Sequence, residues 1–375
     1  MESVKVLLVG IGGYGENYIK EALEKPSECY SLVGVVDPFI SKSPYKEEIE
    51  KRNIPIFSSP DAFFLKGGKA DLTVISSPIH THYAYIMTAL ENGSNVLCEK
   101  PVTISRERMN ALMDKERETG LFVAVGYQLC FALDIQAIKK RIISGDFGKC
   151  RRMKALRMMR RGDKYYSRTG WAGKLSCHGE YVFDSPLSNA CAHQVQVMLY
   201  LLGKDIESAG ECSKVDGTLY KARPSIENFD SAAVKITTTE DIPLYFYTSH
   251  SLDEKKIGPV MEMEFENAVI KGSDDNFSIY WNDGRIEDLS GVDKGDRLEK
   301  FYASVEAVKN GTRPAVTLKS SIGHIGVVLE TEKLPVFLRY DAEYKKTEDG
   351  DGYYSISGLG EEFLSLYEKW ALPNI

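Results

Sequence analysis

Val4-Lys5-Val6-Leu7-Leu8-Val9, followed at once by Gly10-Ile11-Gly12-Gly13-Tyr14-Gly15, is the stretch that decides the fold of this chain. An apolar run that stops at spaced glycines and passes into a helix-like segment predicts a parallel strand, a tight turn and a helix. Gly10 permits the turn, Gly12 removes the side-chain carbon that would collide with a pyrophosphate, and Gly15 lets the helix lie close to the sheet. Gly13 and Tyr14 complete a loop whose helix N-terminus points free N–H groups at a phosphate. Asp37 closes the next apolar run, Tyr30 to Asp37, where an acid for a ribose is expected about 20 residues on. Its carboxylate suits the adenosine ribose hydroxyls and repels a 2′-phosphate, so NAD is expected before NADP, with Lys42 close enough to weaken the preference.

Bulk composition narrows the class. At 375 residues, with 43% hydrophobic and 27% charged residues, the chain reads as a soluble globular protein of two domains. No apolar run approaches a membrane span, and no basic segment precedes a signal-like run, so a cytoplasmic protein without membrane contact is expected. Seven scattered cysteines, never spaced Cys-x-x-Cys, suggest neither a disulfide framework nor a metal site. A net charge of −7 gives no electrostatic basis for binding nucleic acid.

Residues 1–148 alternate short apolar strands (4–10, 30–37, 70–76, 95–98, 121–126) with helical patterns, which predicts a parallel α/β domain covered on both faces. Beyond 149 the strands lengthen and alternate, most clearly in Val260 to Glu266, with others at 151–160, 229–238 and 243–249. The expectation for 149–375 is therefore an α+β domain on a largely antiparallel or mixed open sheet. Its helices are placed at 187–202, 296–309 and 320–333, and its loops at 213–228 and 341–353.

Residues 71–101 run Asp-Leu-Thr-Val-Ile-Ser-Ser-Pro-Ile-His-Thr-His, then a helix, then Asn-Val-Leu-Cys-Glu-Lys-Pro. With the turn Gly10 to Gly15 and the segment Gly126-Tyr127-Gln128, this order resembles the glucose-fructose oxidoreductase / inositol dehydrogenase / rhizopine-catabolism (Gfo/Idh/MocA) family. The resemblance implies an N-terminal Rossmann domain with Ser77, Pro78, Glu99 and Gln128 near the cofactor, a homodimer or homotetramer assembled through the open face of the second sheet, and a second domain for substrate binding. His82, which begins a helix just after Pro78, is either a helix-end group, the favoured reading, or a cofactor neighbour. It also implies that a helix carrying Asp-x-x-x-His serves the reaction. Here that segment keeps His193 and has Asn189 in place of the acid, and an amide can orient a hydroxyl but cannot carry charge.

Transfer of hydride from a carbinol carbon needs a base for the hydroxyl proton. Lys100, at the carboxyl end of a parallel strand, is the first choice, and His193 is the second, with Asn189 beside it. Arg168, Trp171 and the Tyr165-Tyr166 pair offer a guanidinium and aromatic faces to a polyhydroxylated ring, and Asp184 either binds a substrate hydroxyl or belongs to a helix start at Ser185-Pro186. The resulting expectation is an NAD-dependent oxidoreductase acting on a secondary alcohol of a sugar, sugar derivative or cyclitol. Two alternatives stay open from sequence: an NAD-retaining glycosidase-like enzyme working by transient oxidation and elimination, and a non-catalytic NAD-binding regulator.

Overall fold

Strand β1 (Val4–Val9) has four consecutive residues, Val6 to Val9, at 2% exposure or less, because the sheet is covered on both faces. The computed structural model describes residues 3–25, 27–273, 276–289 and 295–374. Around β1 lie β2 (Tyr30–Val36), β3 (Ile56–Phe57), β4 (Leu72–Ile75), β5 (Asn95–Cys98) and β6 (Val123–Val125). All pair in parallel in the order β3-β2-β1-β4-β5-β6. The reversal of direction at β1 and β4 is the switch point at which open α/β sheets bind nucleotides.

The compact units divide the chain differently from 1–148 and 149–375. One comprises residues 1–131 with 295–319, the other 132–294 with 320–375. The helix Glu299–Asn310, expected in the second domain, returns to the first because Phe301 and Val305 pack into its core beside Tyr18 and Tyr30. The Phe301 and Tyr30 rings meet edge to face at 5.0 Å. Conversely, the helix Leu133–Ser144 belongs to the second unit, where Lys139 Nζ donates to the Gly203 carbonyl (2.7 Å) and Gln136 Nε2 to the Tyr200 hydroxyl (2.9 Å).

The second unit is built on β7 (Cys150–Met159), β8 (Ser176–Cys177), β9 (Glu180–Tyr181), β10 (Cys212–Lys221), β11 (Ser231–Thr238), β12 (Pro243–Ser249) and β13 (Lys256–Phe265). It continues through β14 (Ala268–Gly272), β15 (Phe277–Trp281), β16 (Ile286–Asp288), β17 (Val336–Leu338), β18 (Glu343–Lys346) and β19 (Gly352–Ser355). Among the described residues, nine of these form one mixed sheet, β16-β15-β14-β13-β7-β12-β11-β10-β17, with β8-β9 and β18-β19 as separate pairs. Two segments read as loops are strands in the fold. Residues 212–221 pair along β11 despite their polarity, and 343–355 closes a hairpin across a turn at Glu348-Asp349. The alternation in β13 is realised: Met261, Met263 and Phe265 are buried, while Glu262 and Glu264 reach Lys154 and Arg152.

The sheet face expected to be open for a partner is covered over β7 and β12 by this chain's own helix Leu359–Lys369. Leu156, Met158 and Tyr247 form a core cluster there with Leu359, Phe363 and Tyr367. Lys154 Nζ donates to the Tyr367 carbonyl at 3.0 Å and the Tyr247 hydroxyl to that of Ala371 at 2.7 Å, which pins the end of the helix. No helix among the described residues is long and apolar enough to cross a membrane.

Candidate functional site

In the N-terminal unit the glycines divide by function. Gly10 has φ +80°, and a side-chain carbon there would meet the Ser77 nitrogen at 2.8 Å; at Gly15 it would lie 2.1 Å from the Gly10 carbonyl oxygen. Both are required by the fold. Gly12 has an ordinary extended backbone (φ −92°), and a side-chain carbon on it would meet nothing within 4 Å, so the protein itself gives no reason for glycine there. An open cradle at the N-terminal end of a helix, beside the equally open Gly13, fits a dinucleotide pyrophosphate. Gly12→Ala is accordingly expected to leave the melting temperature within about 1 °C of wild type while weakening NAD binding at least ~10-fold, whereas Gly15→Ala costs about 1–3 kcal/mol of stability. Calorimetric titration beside thermal melts separates the two.

Asp37 sits just past β2, where its carboxylate accepts from the Ile11 N–H (3.1 Å) and the Phe39 N–H (2.8 Å), tying the end of β2 to the glycine turn. Ser77 and Pro78 follow β4, with Ser77 Oγ 2.6 Å from Thr81 Oγ1. His82 takes the structural role favoured over a cofactor neighbour: it is 1% exposed, with Nδ1 2.9 Å from the Pro101 carbonyl and Nε2 2.8 Å from that of Ser77. It braces the turn after β4 against the turn after β5, and burial holds its pKa below the usual histidine value.

Glu99 also turns inward. Its Oε1 accepts from the Tyr18 hydroxyl (2.7 Å) and from Lys300 Nζ (2.5 Å), and Lys300 is fully buried, donating also to the Gly126 carbonyl and lying 4.3 Å from the Tyr14 ring centroid. Tyr14 is therefore the wall of a buried ion pair as much as part of the glycine loop. Lys300 was missed by sequence reading, since 201 residues separate it from Glu99. Lys100 follows, partly exposed at the carboxyl end of β5, and Gln128 begins the short helix after β6.

In the second unit the expected helix 187–202 is broken. Pro186–Ala190 forms a π-helical turn, started by Ser185, whose Oγ accepts from the Ser188 N–H, and Ala192–Leu201 continues as an α-helix after Cys191. Asn189 lies in the first piece, after buried Ser188, and His193 in the second, between buried Ala192 and Gln194; both are partly exposed. Asp184 is 3% exposed, its Oδ1 accepting from the Asn189 amide and its Oδ2 from the Gly173 N–H, both at 2.7 Å. The helix-start reading of Ser185-Pro186 therefore describes the local structure, and Asp184 orients Asn189. His324 is buried with Nε2 3.1 Å from the Leu187 carbonyl.

Arg168 and Trp171 occupy the loop that Gly173 ties to Asp184, with the Arg168 guanidinium 3.6 Å from the Tyr165 ring centroid and 5.2 Å from that of Trp171. Below them Tyr166 hydrogen-bonds His250 Nδ1 (2.9 Å), and burial, together with Arg161, Arg168 and Arg223, holds His250 far below its ordinary pKa. His250 is thus neutral in the folded protein but takes up a proton near pH 6.5 when unfolded. Stability is complete above that pH and falls below it, by up to about 1.4 kcal/mol per pH unit. Urea melts between pH 7.5 and 5 are expected to show a shallower decline for His250→Asn than for wild type; equal slopes would refute the buried neutral imidazole.

Geometry thus defines a Rossmann domain with an open glycine turn to which Asp37 is hydrogen-bonded, joined in sequence to a mixed-sheet unit carrying a His and an acid-oriented Asn. Residues 4–127 match the model of the oxidoreductase family GFO_IDH_MocA, described by its NAD-binding Rossmann fold. The chain therefore matches this family's NAD-binding Rossmann domain over residues 4–127, within its N-terminal unit. It is 28% identical over 172 residues to D-glucoside 3-dehydrogenase of Escherichia coli, spanning 46% of each chain. It is 30% identical over 146 residues to the NAD-dependent scyllo-inositol 2-dehydrogenase of Bacillus subtilis, spanning 39% of this chain and 42% of that one. These matches thus span less than half the length of either relative. The WlbA dehydrogenase of Bordetella pertussis, solved with NADH and UDP-GlcNAcA, shares the fold at a TM-score of 0.71 and 18% identity, over 88% of this chain and 96% of that one.

Proposed function

We propose that this protein is an NAD-dependent oxidoreductase acting on a secondary alcohol of a sugar, sugar derivative or cyclitol. The observation that carries the reading is the open cradle at Gly12, where nothing internal to the protein calls for glycine, in a domain whose Lys100 follows the end of β5 at Cys98. The dehydrogenases among its relatives, acting on a glucoside and on an inositol, support the substrate class. When bound, NAD supplies the hydride acceptor. The backbone at Gly12 and Gly13 holds the pyrophosphate and Asp37 the adenosine ribose, which disfavours NADP.

The remaining work falls to side chains of this chain. Lys100 Nζ takes the proton of the reacting hydroxyl, an acid–base role its amine performs once its charge is disfavoured by an enclosed site. The Asn189 amide, fixed by Asp184, orients a substrate hydroxyl without adding charge, and His193 is the second proton-handling group. The test is nicotinamide absorbance with NAD and NADP against a panel of sugars, sugar acids and cyclitols. Turnover of at least one with NAD is the expected result; saturable NAD binding with no turnover of any would overturn the dehydrogenase reading.

A further inference from the structure

Two arginines of the second unit that lie against one tyrosine ring are left without a carboxylate. The buried guanidinium of Arg223 nearby pairs with Asp163, and other arginines of the unit pair likewise, among them Arg152 with Glu264, Arg141 with Glu287 and Arg339 with Asp341. Arg161 and Arg168 have no such partner among the described residues. Arg161 reaches only the Met159 sulfur at 3.9 Å, with its Nε buried and unsatisfied; Arg168 donates to the Tyr165 carbonyl at 2.5 Å. Both guanidinium groups lie against one ring, at 4.6 and 3.6 Å from the Tyr165 centroid.

Beneath that ring His250 is 2% exposed and its Nε2 has no hydrogen-bond partner. A buried polar atom without a partner costs about 1–3 kcal/mol, a penalty a protein sheds when a ligand or water supplies the missing bond. The cluster is not remote from the proposed chemistry. The loop bearing Arg168 is tied through Gly173 to Asp184, whose carboxylate holds Asn189, and Asp184 and Cys191 are near enough to act electrostatically on the Tyr165 phenol. Neighbouring acids are already engaged: Asp163 by Arg223 and Tyr344, and Asp230 by the N–H groups of Ala222 and Arg223.

We infer that Arg161 and Arg168 form a subsite for an anionic substituent of the substrate, a carboxylate or a phosphate, so that the preferred substrates are acidic sugars or cyclitols. The inference rests on the proposed function for the reaction, but not for the binding. Guanidinium groups freed of internal carboxylates give charge-assisted bonds to such an anion, and the Tyr165 and Trp171 rings offer apolar faces to the sugar carbons.

The test uses the full chain saturated with NAD and measures calorimetric binding of glucose, glucuronate and glucose 6-phosphate, at low and at raised salt. The acidic ligand is expected to bind about 10- to 100-fold tighter than glucose, with the advantage reduced by salt. Arg161→Gln and Arg168→Gln are each expected to lose most of that advantage, and exposed Arg285→Gln to keep it. Preference for glucuronate alone assigns a carboxylate site, and preference for glucose 6-phosphate alone a phosphate site. Glucose binding as tightly as both acids, acid preference surviving in both variants, or no binding of either acid at millimolar concentration overturns the subsite. Arg168 is exposed, so its variant tests the subsite even where Arg161→Gln disturbs folding. Acid binding without turnover leaves the subsite standing while sinking the dehydrogenase reading; turnover of neutral polyols without acid preference does the reverse.

Discussion

Lys100→Ala is expected to reduce kcat by roughly 100- to 10,000-fold, the range by which a positioned acid–base group accelerates proton transfer. Affinity for NAD should change little, because the cofactor-holding groups lie at the ends of β1 and β2 and not on the lysine side chain. The combination matters more than the loss. A variant that lost both turnover and NAD binding would show only that the turn after β5 had collapsed, a turn that His82 braces through Pro101. If Lys100 is the base, kcat in the wild type also falls at low pH as the amine protonates, and the residual rate of the variant loses that limb. Retained turnover in Lys100→Ala moves the base to His193, and the corresponding His193→Ala profile then decides.

Lys300→Met should destabilise the N-terminal unit by about 3–5 kcal/mol, the cost of breaking a buried ion pair from one side. The amine is fully buried and its pKa is lowered by desolvation, against which Glu99 acts to keep it charged. Removing it strands the Glu99 carboxylate with the Tyr18 hydroxyl alone. There is no room for relief on the other side, since a side-chain carbon at Gly126 would already touch Glu99 Oε2 at 2.7 Å. The double variant Lys300→Met, Glu99→Gln is expected to recover much of the loss, because no unpaired charge remains. Urea unfolding at pH 7 followed by circular dichroism measures both, and a double variant no better than the single would refute the ion-pair account. Glu99 immediately precedes Lys100, so the pair also fixes the backbone from which the proposed base extends.

Much of the N-terminal unit was legible because its signals are local. The glycine spacing, the apolar strands and Asp37 each lie within a few residues of the structure they specify, and a strand covered on both faces has to be apolar throughout. β3 was missed because two residues carry no periodicity. In the second unit β10 was read as a loop, since strand pairing with β11 along a partly exposed stretch tolerates polar residues such as Ser213, Lys214 and Asp216. The break at Cys191 was likewise invisible: apolar periodicity continues across it, and the π-turn is closed by local bonds, Cys191 N–H to the Pro186 carbonyl and Asn189 N–H to the Ser185 carbonyl, that carry no periodic signal.

By itself, then, the amino-acid sequence determined the dinucleotide turn, the parallel domain around it and the residue types available for proton transfer. Those follow from short-range sterics and from which faces of a strand or helix must be apolar. Tertiary structure alone decided that Glu99 answers to Lys300, that His82 is a brace, that Asp184 serves Asn189, and that the helix Leu359–Lys369 covers the sheet. Each of these pairs groups distant in the chain or facing backbone carbonyls, and a side chain's role depends on which partner the fold brings within hydrogen-bond reach.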